Sequence, residues 1–269
     1  MDNLGNNSRT LGQRFVLAFS IVVAFSLPAH PQTWPPATSV PDAPQAQDTV
    51  TLRAIVPNLV KDQAAIWTSP VRIRESSFGY LVPLGLATTL AITTDHQAMS
   101  QVVSQNPSFN NTNTNASNLL VGGFIAAPVV LYGVGHLKDN DHARETGLLS
   151  GEALLDGLVV DEGMKLIFLR ERPSIDNQHG KFFQTSVGSN SSFPSTHSFI
   201  AWSTAAVLAD EYPSRLVQVG VYSVATGVSL TRVLGQQHFP SDVLVGSAFG
   251  WMIGHYVYKK HHRWQERSY

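Results

Sequence analysis

Residues 145–173 read ETGLLSGEALLDGLVVDEGMKLIFLRERP. Apolar residues return at helical spacing from Glu145 to Leu169, and Pro173 then disfavours helical geometry at Arg172. One long amphipathic helix is expected here. Outward from it, Thr196–Asp210, Leu216–Leu230 and Val243–Tyr258 repeat the pattern toward the carboxyl end. Toward the amino end, Phe78–Thr94 and Leu119–Leu137 are strongly apolar, and Val56–Trp67 is a short amphipathic candidate closed by Ser69-Pro70. The Asn/Ser/Gln-rich stretch Gln97–Asn118 reads as a solvated loop. No alternating strand pattern competes, and no internal repeat is found. The fold class is all-α: a helical bundle of about six main helices, with the active site built at helix ends.

Composition narrows the setting. Charged residues make up 14% of the 269, against roughly 25% in soluble domains, which points to an exported or membrane-associated protein. A net charge of −1 argues against nucleic acid as a partner. With no cysteine, neither a disulfide framework nor a thiolate metal site is available. Arg9 and Arg14 precede an uncharged, mostly apolar run, Phe15–Leu27, of a length suited to a signal and short of the ~20 residues of a bilayer span. Residues 1–30 are therefore read as a signal peptide or anchor. Residues 31–50, with Pro31, Pro35, Pro36, Pro41 and Pro44, are read as a flexible leader, and 51–269 as the catalytic domain.

Three short stretches carry chemistry. Lys165 and Arg172, seven apart, fall on one helix face near its end. Arg binds phosphate oxygens in a fork and Lys acts as a mobile charge, although both also suit the negative end of a helix dipole. Pro194-Ser195-Thr196-His197-Ser198 opens a helix, so free N–H groups near Ser195 and Thr196 make an anion site, with His197 in the first turn. A plain helix cap with an incidental histidine is the structural alternative. His238 and Asp242 are four apart across Phe239-Pro240-Ser241, close enough for the carboxylate to orient the imidazole, and Arg232 adds a fixed charge. A His–Asp capping pair is the alternative there.

Taken together these stretches resemble the type 2 phosphatidic acid phosphatase superfamily, which also contains bacterial acid phosphatases and vanadium haloperoxidases. Its pattern of Lys-x6-Arg-Pro, Pro-Ser-x-His and Ser-Arg-x5-His-x3-Asp is met by Lys165…Arg172-Pro173, Pro194-Ser195-Thr196-His197 and Thr231-Arg232…His238…Asp242. Thr231 stands where Ser is usual, and Thr196 where many members have Gly, which leans toward phosphatase.

The resemblance implies a phosphatase acting on phosphate monoesters or lipid (di)phosphates. His238 would attack phosphorus to form a phosphohistidine, Asp242 would support it, and His197 would serve as acid and then base. Lys165, Arg172, Arg232, Ser195 and the N–H near Thr196 would hold the phosphoryl oxygens. No metal or cofactor is implied, vanadate being an inhibitor that mimics phosphate. The rival readings are a vanadate-dependent haloperoxidase and a non-catalytic lipid-phosphate binder. His136, Asp139, Asp141 and His142 read as a solvated turn rather than a metal site, and Glu152, Asp156, Asp161 and Glu162 receive no catalytic role. A working export signal reverses the parity that six spans with outward motifs would need. The candidate spans are short, and the carboxylates between Glu145 and Leu169 are costly in lipid. An exported enzyme, periplasmic or extracellular, is therefore expected, with association at a membrane surface open to it. An integral membrane protein with an outward-facing active site is the alternative.

Overall fold

A computed structural model describes residues 50–263. The expected signal and nearly all of the Pro-rich leader lie outside the described residues. Among those described there are seven α-helices and no strand. They are α1 (Leu52–Thr68), α2 (Phe78–Gln97), α3 (Pro107–Leu137), α4 (Asp141–Phe168), α5 (Thr196–Glu211), α6 (Arg215–Leu234) and α7 (Pro240–His261).

The centre is the pair α5 and α7, packed against each other along their lengths. Gly246, Gly250 and Gly254 recur every fourth residue of α7 and face α5. A Cβ at Gly250 would stand 2.5 Å from the Phe199 carbonyl oxygen, so the two backbones approach as only glycine permits. Around this pair, α4 packs on α3 and α5, α6 on α3 and α5, α1 on α4, and α2 on α7. Trp202, fully buried on α5, stacks on Tyr222 of α6 with centroids 5.5 Å apart, and Trp251 donates to the Tyr222 hydroxyl at 3.1 Å.

Two boundaries differ from the sequence expectation. The Asn-rich stretch is largely helical, not a loop. Asn106 caps α3 by accepting from Ser108 N at 2.9 Å, with Pro107 at the first helical position. Thr112, Asn113 and Thr114 then bond the carbonyls of Ser108, Phe109 and Asn110 one turn back, so their polar groups are spent within the helix. At the other boundary α4 ends at Phe168, short of Arg172, because Leu169 takes the left-handed conformation (φ 43°) and its N–H returns to Lys165 O.

The segments Glu75–Val102 and Pro107–Leu137 are long and apolar enough to cross a membrane. At 1.5 Å per residue α3 alone runs about 46 Å, against ~30 Å of bilayer hydrocarbon. Their apolar side chains face outward: Leu86 is 68% exposed and Val129 73%. Three of the α4 carboxylates point the other way. Glu152, Asp156 and Asp161 are fully buried in protein, so the cost of exposing them to lipid does not arise, whereas Glu162 is exposed beside Lys165.

Candidate active site

The ends of α4, α5, α6 and α7 converge with the middle of α3. Arg232, in the last turn of α6, donates from Nη1 to Ser117 Oγ at 3.2 Å and Asn118 Oδ1 at 3.4 Å. Its Nε is buried with no partner, a donor left free for an anion. Lys165, in the last turn of α4, is 3.0 Å from Asp161 Oδ2 and 3.0 Å from Glu162 Oε1, and it also donates to Thr196 Oγ1. Thr196 in turn donates to Asp161 Oδ2 at 2.7 Å. Asp161 therefore fixes two of the expected phosphate-binding residues at once.

Arg172, four residues beyond α4, is held from two sides. Its Nε donates to Asn190 Oδ1 at 3.0 Å and its Nη1 to the Gln237 carbonyl at 3.1 Å. Ser195 is buried as the cap of α5, and its hydroxyl accepts from Ser198 Oγ at 3.2 Å in a chain that continues to Ser229 and Ser247. In the cap that oxygen only accepts, and among the described residues its O–H has no acceptor, so the hydroxyl can still donate to an anion at the helix terminus it shapes.

His238 is buried at the start of the turn into α7. Its Nδ1–H donates to the Ser192 carbonyl at 2.7 Å, which leaves Nε2 with a lone pair. Asp242 Oδ2 is 3.6 Å from Nδ1, beyond hydrogen-bond length. The orienting acceptor is thus the Ser192 carbonyl, where the four-residue spacing pointed to Asp242. Asp242 is otherwise engaged: Oδ2 accepts from Phe239 N at 2.8 Å in the cap of α7, and Oδ1 accepts from Arg170 Nη1 at 2.6 Å. His197 donates from Nε2 to Asn118 Oδ1 at 2.9 Å.

The electrostatics tie these groups into one site. His197 is pushed down to about 3 by burial first, then by Arg232, His238, Arg172 and Lys165. His238 is held well below the ordinary imidazole range by burial and by Arg172 and Arg232. Burial and the neighbouring cations favour the neutral form of both imidazoles, and of those cations Lys165 is paired with Asp161 and Glu162.

Sequence reasoning missed Arg170, Asp95, Asn118 and Asp161. Arg170 lies between Lys165 and Arg172 in the chain. It is buried between the Phe182 and Phe239 rings, 4.5 and 4.0 Å from their centroids, and its Nη2 donates to Asp95 Oδ2 at 2.7 Å. The one available signal was its place between Lys165 and Arg172 on an apolar run. Asp95 and Asn118 sit at the ends of a stretch read as loop, and nothing local marks them. Two loops meet the segment before α3: Gln178 and Gln236 both donate to Gln105 Oε1 at 2.9 Å.

The PAP2 superfamily model matches residues 146–266, which contain all three motifs. That segment is similar to the PAP2 superfamily. A lipid A 1-phosphatase of Porphyromonas gingivalis is 26% identical over 243 residues, which is 88% of this chain and 48% of that protein. The chain thus spans about half the length of this curated relative. A crystal structure of a transmembrane PAP2-type phosphatidylglycerolphosphate phosphatase from Bacillus subtilis is 22% identical, with a TM-score of 0.46, covering 79% of this chain and 98% of that one.

Proposed function

We propose that this protein is a phosphoric ester hydrolase that removes a terminal phosphoryl group from a lipid phosphate through a phosphohistidine. The observation that carries the reading is His238: Nδ1 anchored to the Ser192 carbonyl, Nε2 unprotonated, amid Lys165, Arg172 and Arg232. Nε2 attacks phosphorus as the P–O ester bond breaks, and His197 delivers a proton to the departing oxygen. Neutral in the free site, His197 takes up that proton as the phosphate anion offsets the three cations. Water, deprotonated by His197, then attacks phosphorus, the P–N bond breaks, and inorganic phosphate leaves. General acid–base help of this kind is worth ~10²–10⁴-fold. The cations stabilise charge spread over the equatorial oxygens in the transition state, so the chemistry needs no metal ion.

Two observations support a lipid substrate in a membrane. The Arg232 cradle is built on α3, whose outer face is apolar and exposed, and the P. gingivalis relative is titled a lipid phosphatase. With α2 and α3 in the bilayer, the integral membrane reading is favoured over a globular exported enzyme. Lys138, Arg144, Arg215, Lys259, Lys260 and Arg263 cluster on the loops and helix ends opposite the site, which by the positive-inside tendency supports an outward-facing active site.

The test is quenched turnover of purified protein with an aryl phosphate and with a lipid phosphate in mixed micelles, no metal being added. Acid-labile, base-stable phosphoprotein that disappears in His238→Ala is the expected result. Turnover without a trapped intermediate, or undiminished in His238→Ala, would refute it. Vanadate should inhibit, whereas peroxide-dependent bromination with vanadate would favour the oxidase.

A further inference from the structure

Away from the motifs, Asp62 of α1, Glu152 of α4 and His261 at the end of α7 meet in the interior, with ligand atoms within 4.8 Å of one another. From Glu152 to Lys165 the rise along α4 is ~20 Å, so this cluster is separate from the active site. Asp62 is fully satisfied: Oδ1 accepts from Tyr256 Oη at 3.0 Å and Lys260 Nζ at 2.6 Å, and Oδ2 faces His261 Nε2 at 2.7 Å. Glu152 is not. It is 0% exposed, its Oε1 stands 3.5 Å from His261 Nε2, and the Asn58 side chain beside it reaches neither carboxylate oxygen with hydrogen-bond geometry. One turn on, Asp156 Oδ2 is also buried without a partner, while its Oδ1 accepts from Gln63 Nε2 at 2.8 Å. Three buried carboxylates thus face Lys260 and an imidazole, and a buried carboxylate left unpaired costs several kcal/mol.

We propose that Asp62, Glu152 and His261 bind a divalent transition-metal ion, Zn²⁺ by the chemistry of the donors, as a structural tie between α1, α4 and α7. One imidazole nitrogen with carboxylate oxygens suits Zn²⁺ better than Mg²⁺ or Ca²⁺, which favour all-oxygen shells. Zn²⁺ ligands at about 2.0–2.2 Å in a tetrahedron lie ~3.4 Å apart, close to the Glu152–His261 separation. The ion takes the place of the proton between His261 Nε2 and Asp62 Oδ2. The ring binds as neutral imidazole through Nε2, with its one proton on Nδ1. The nearby set Glu145, Glu211 and His262 gives a contrast. Glu211 accepts from His142 Nε2 at 2.9 Å and His262 Nδ1 at 3.0 Å, so its charge is already met without an ion.

The experiment uses the untagged full chain in detergent, stripped with a strong chelator and titrated with Zn²⁺ against a chromogenic competitor, with bound metal counted and thermal unfolding followed. One Zn²⁺ per chain and a raised unfolding midpoint are expected. Glu152→Gln and His261→Gln should each weaken binding more than about 100-fold, beyond the loss an outer-shell partner causes. Both variants keep turnover at the distant site, which reports that they fold. Substoichiometric uptake by the wild type would overturn the proposal. So would affinity unchanged in Glu152→Gln, or binding lost in His238→Ala, which would move the ion to the active site. A Glu152→Gln protein more stable than metal-free wild type that takes up no Zn²⁺ when the wild type also takes up none would mean that Glu152 holds a proton instead.

Discussion

Arg170 Nη1 lies 2.6 Å from Asp242 Oδ1, and the same guanidinium reaches Asp95 Oδ2 with Nη2 at 2.7 Å. One buried cation therefore joins α2 to the first turn of α7 and sets the carboxylate beside the proposed nucleophile. Removing one partner of such a pair leaves buried charge uncompensated, which costs about 3–5 kcal/mol. Arg170→Met should lose stability of that order in denaturation followed by intrinsic fluorescence. Arg170→Lys should lose activity despite keeping the charge, because Lys cannot fork to two carboxylates.

Asn118 Oδ1 accepts from both His197 and Arg232, so it holds an acid–base group and a phosphate-binding cation in register. Hydrogen bonds to charged groups are worth ~1.5–3 kcal/mol. Asn118→Ala should lower kcat roughly 10–100-fold, with a far smaller change in unfolding midpoint. Equal loss in kcat and stability would mean that Asn118 serves the fold alone.

His197 is depressed to about 3 and His238 well below 6.5, whereas both return to about 6.5 on unfolding. The unfolded chain therefore binds more protons over the interval below pH ~6.5, and the stability these groups contribute falls as pH drops through it. His197→Asn should lose less of its thermal midpoint than wild type between pH 7.5 and 5. Bound vanadate should reduce the wild-type loss by supplying counter-charge. A variant whose midpoint tracks wild type at every pH would contradict the assignment.

Leu86 of α2 and Val129 of α3 project from apolar faces that no protein covers among the described residues. If these faces meet lipid, Leu86→Arg or Val129→Arg costs about 2.5–3.5 kcal/mol near a helix centre and should cut membrane-fraction yield. If they met water, the same change would be close to neutral. Fractionation with and without detergent distinguishes these outcomes.

Much of the fold was legible because helix periodicity is a local property. The expected segment Thr196–Asp210 matches α5 to within one residue, and Glu145–Leu169 falls on α4. The Asn-rich start of α3 was not legible. Asn and Thr compete with the helical backbone in general, and here they bond back one turn only because Asn106 and Pro107 initiate the helix. The direction of the α4 carboxylates was equally hidden, since spacing gives a face but not the neighbour that face meets.

The spacing of Lys165, Arg172, His197, Arg232, His238 and Asp242 was enough to nominate one site, because each lies at or just beyond a helix end. Which atom holds which was decided only by tertiary structure. The Ser192 carbonyl, not Asp242, takes the His238 proton donor; Asp161 fixes Lys165; Asn118 meets His197 from 79 residues away. Ser192 and Asn118 come from distant parts of the chain, so no local spacing encodes them, whereas Asp161 lies one turn before Lys165 on α4 and only its burial against Thr196 was hidden. Chain order brings the chemical groups to one end of the bundle, and only packing sets them at hydrogen-bond distance.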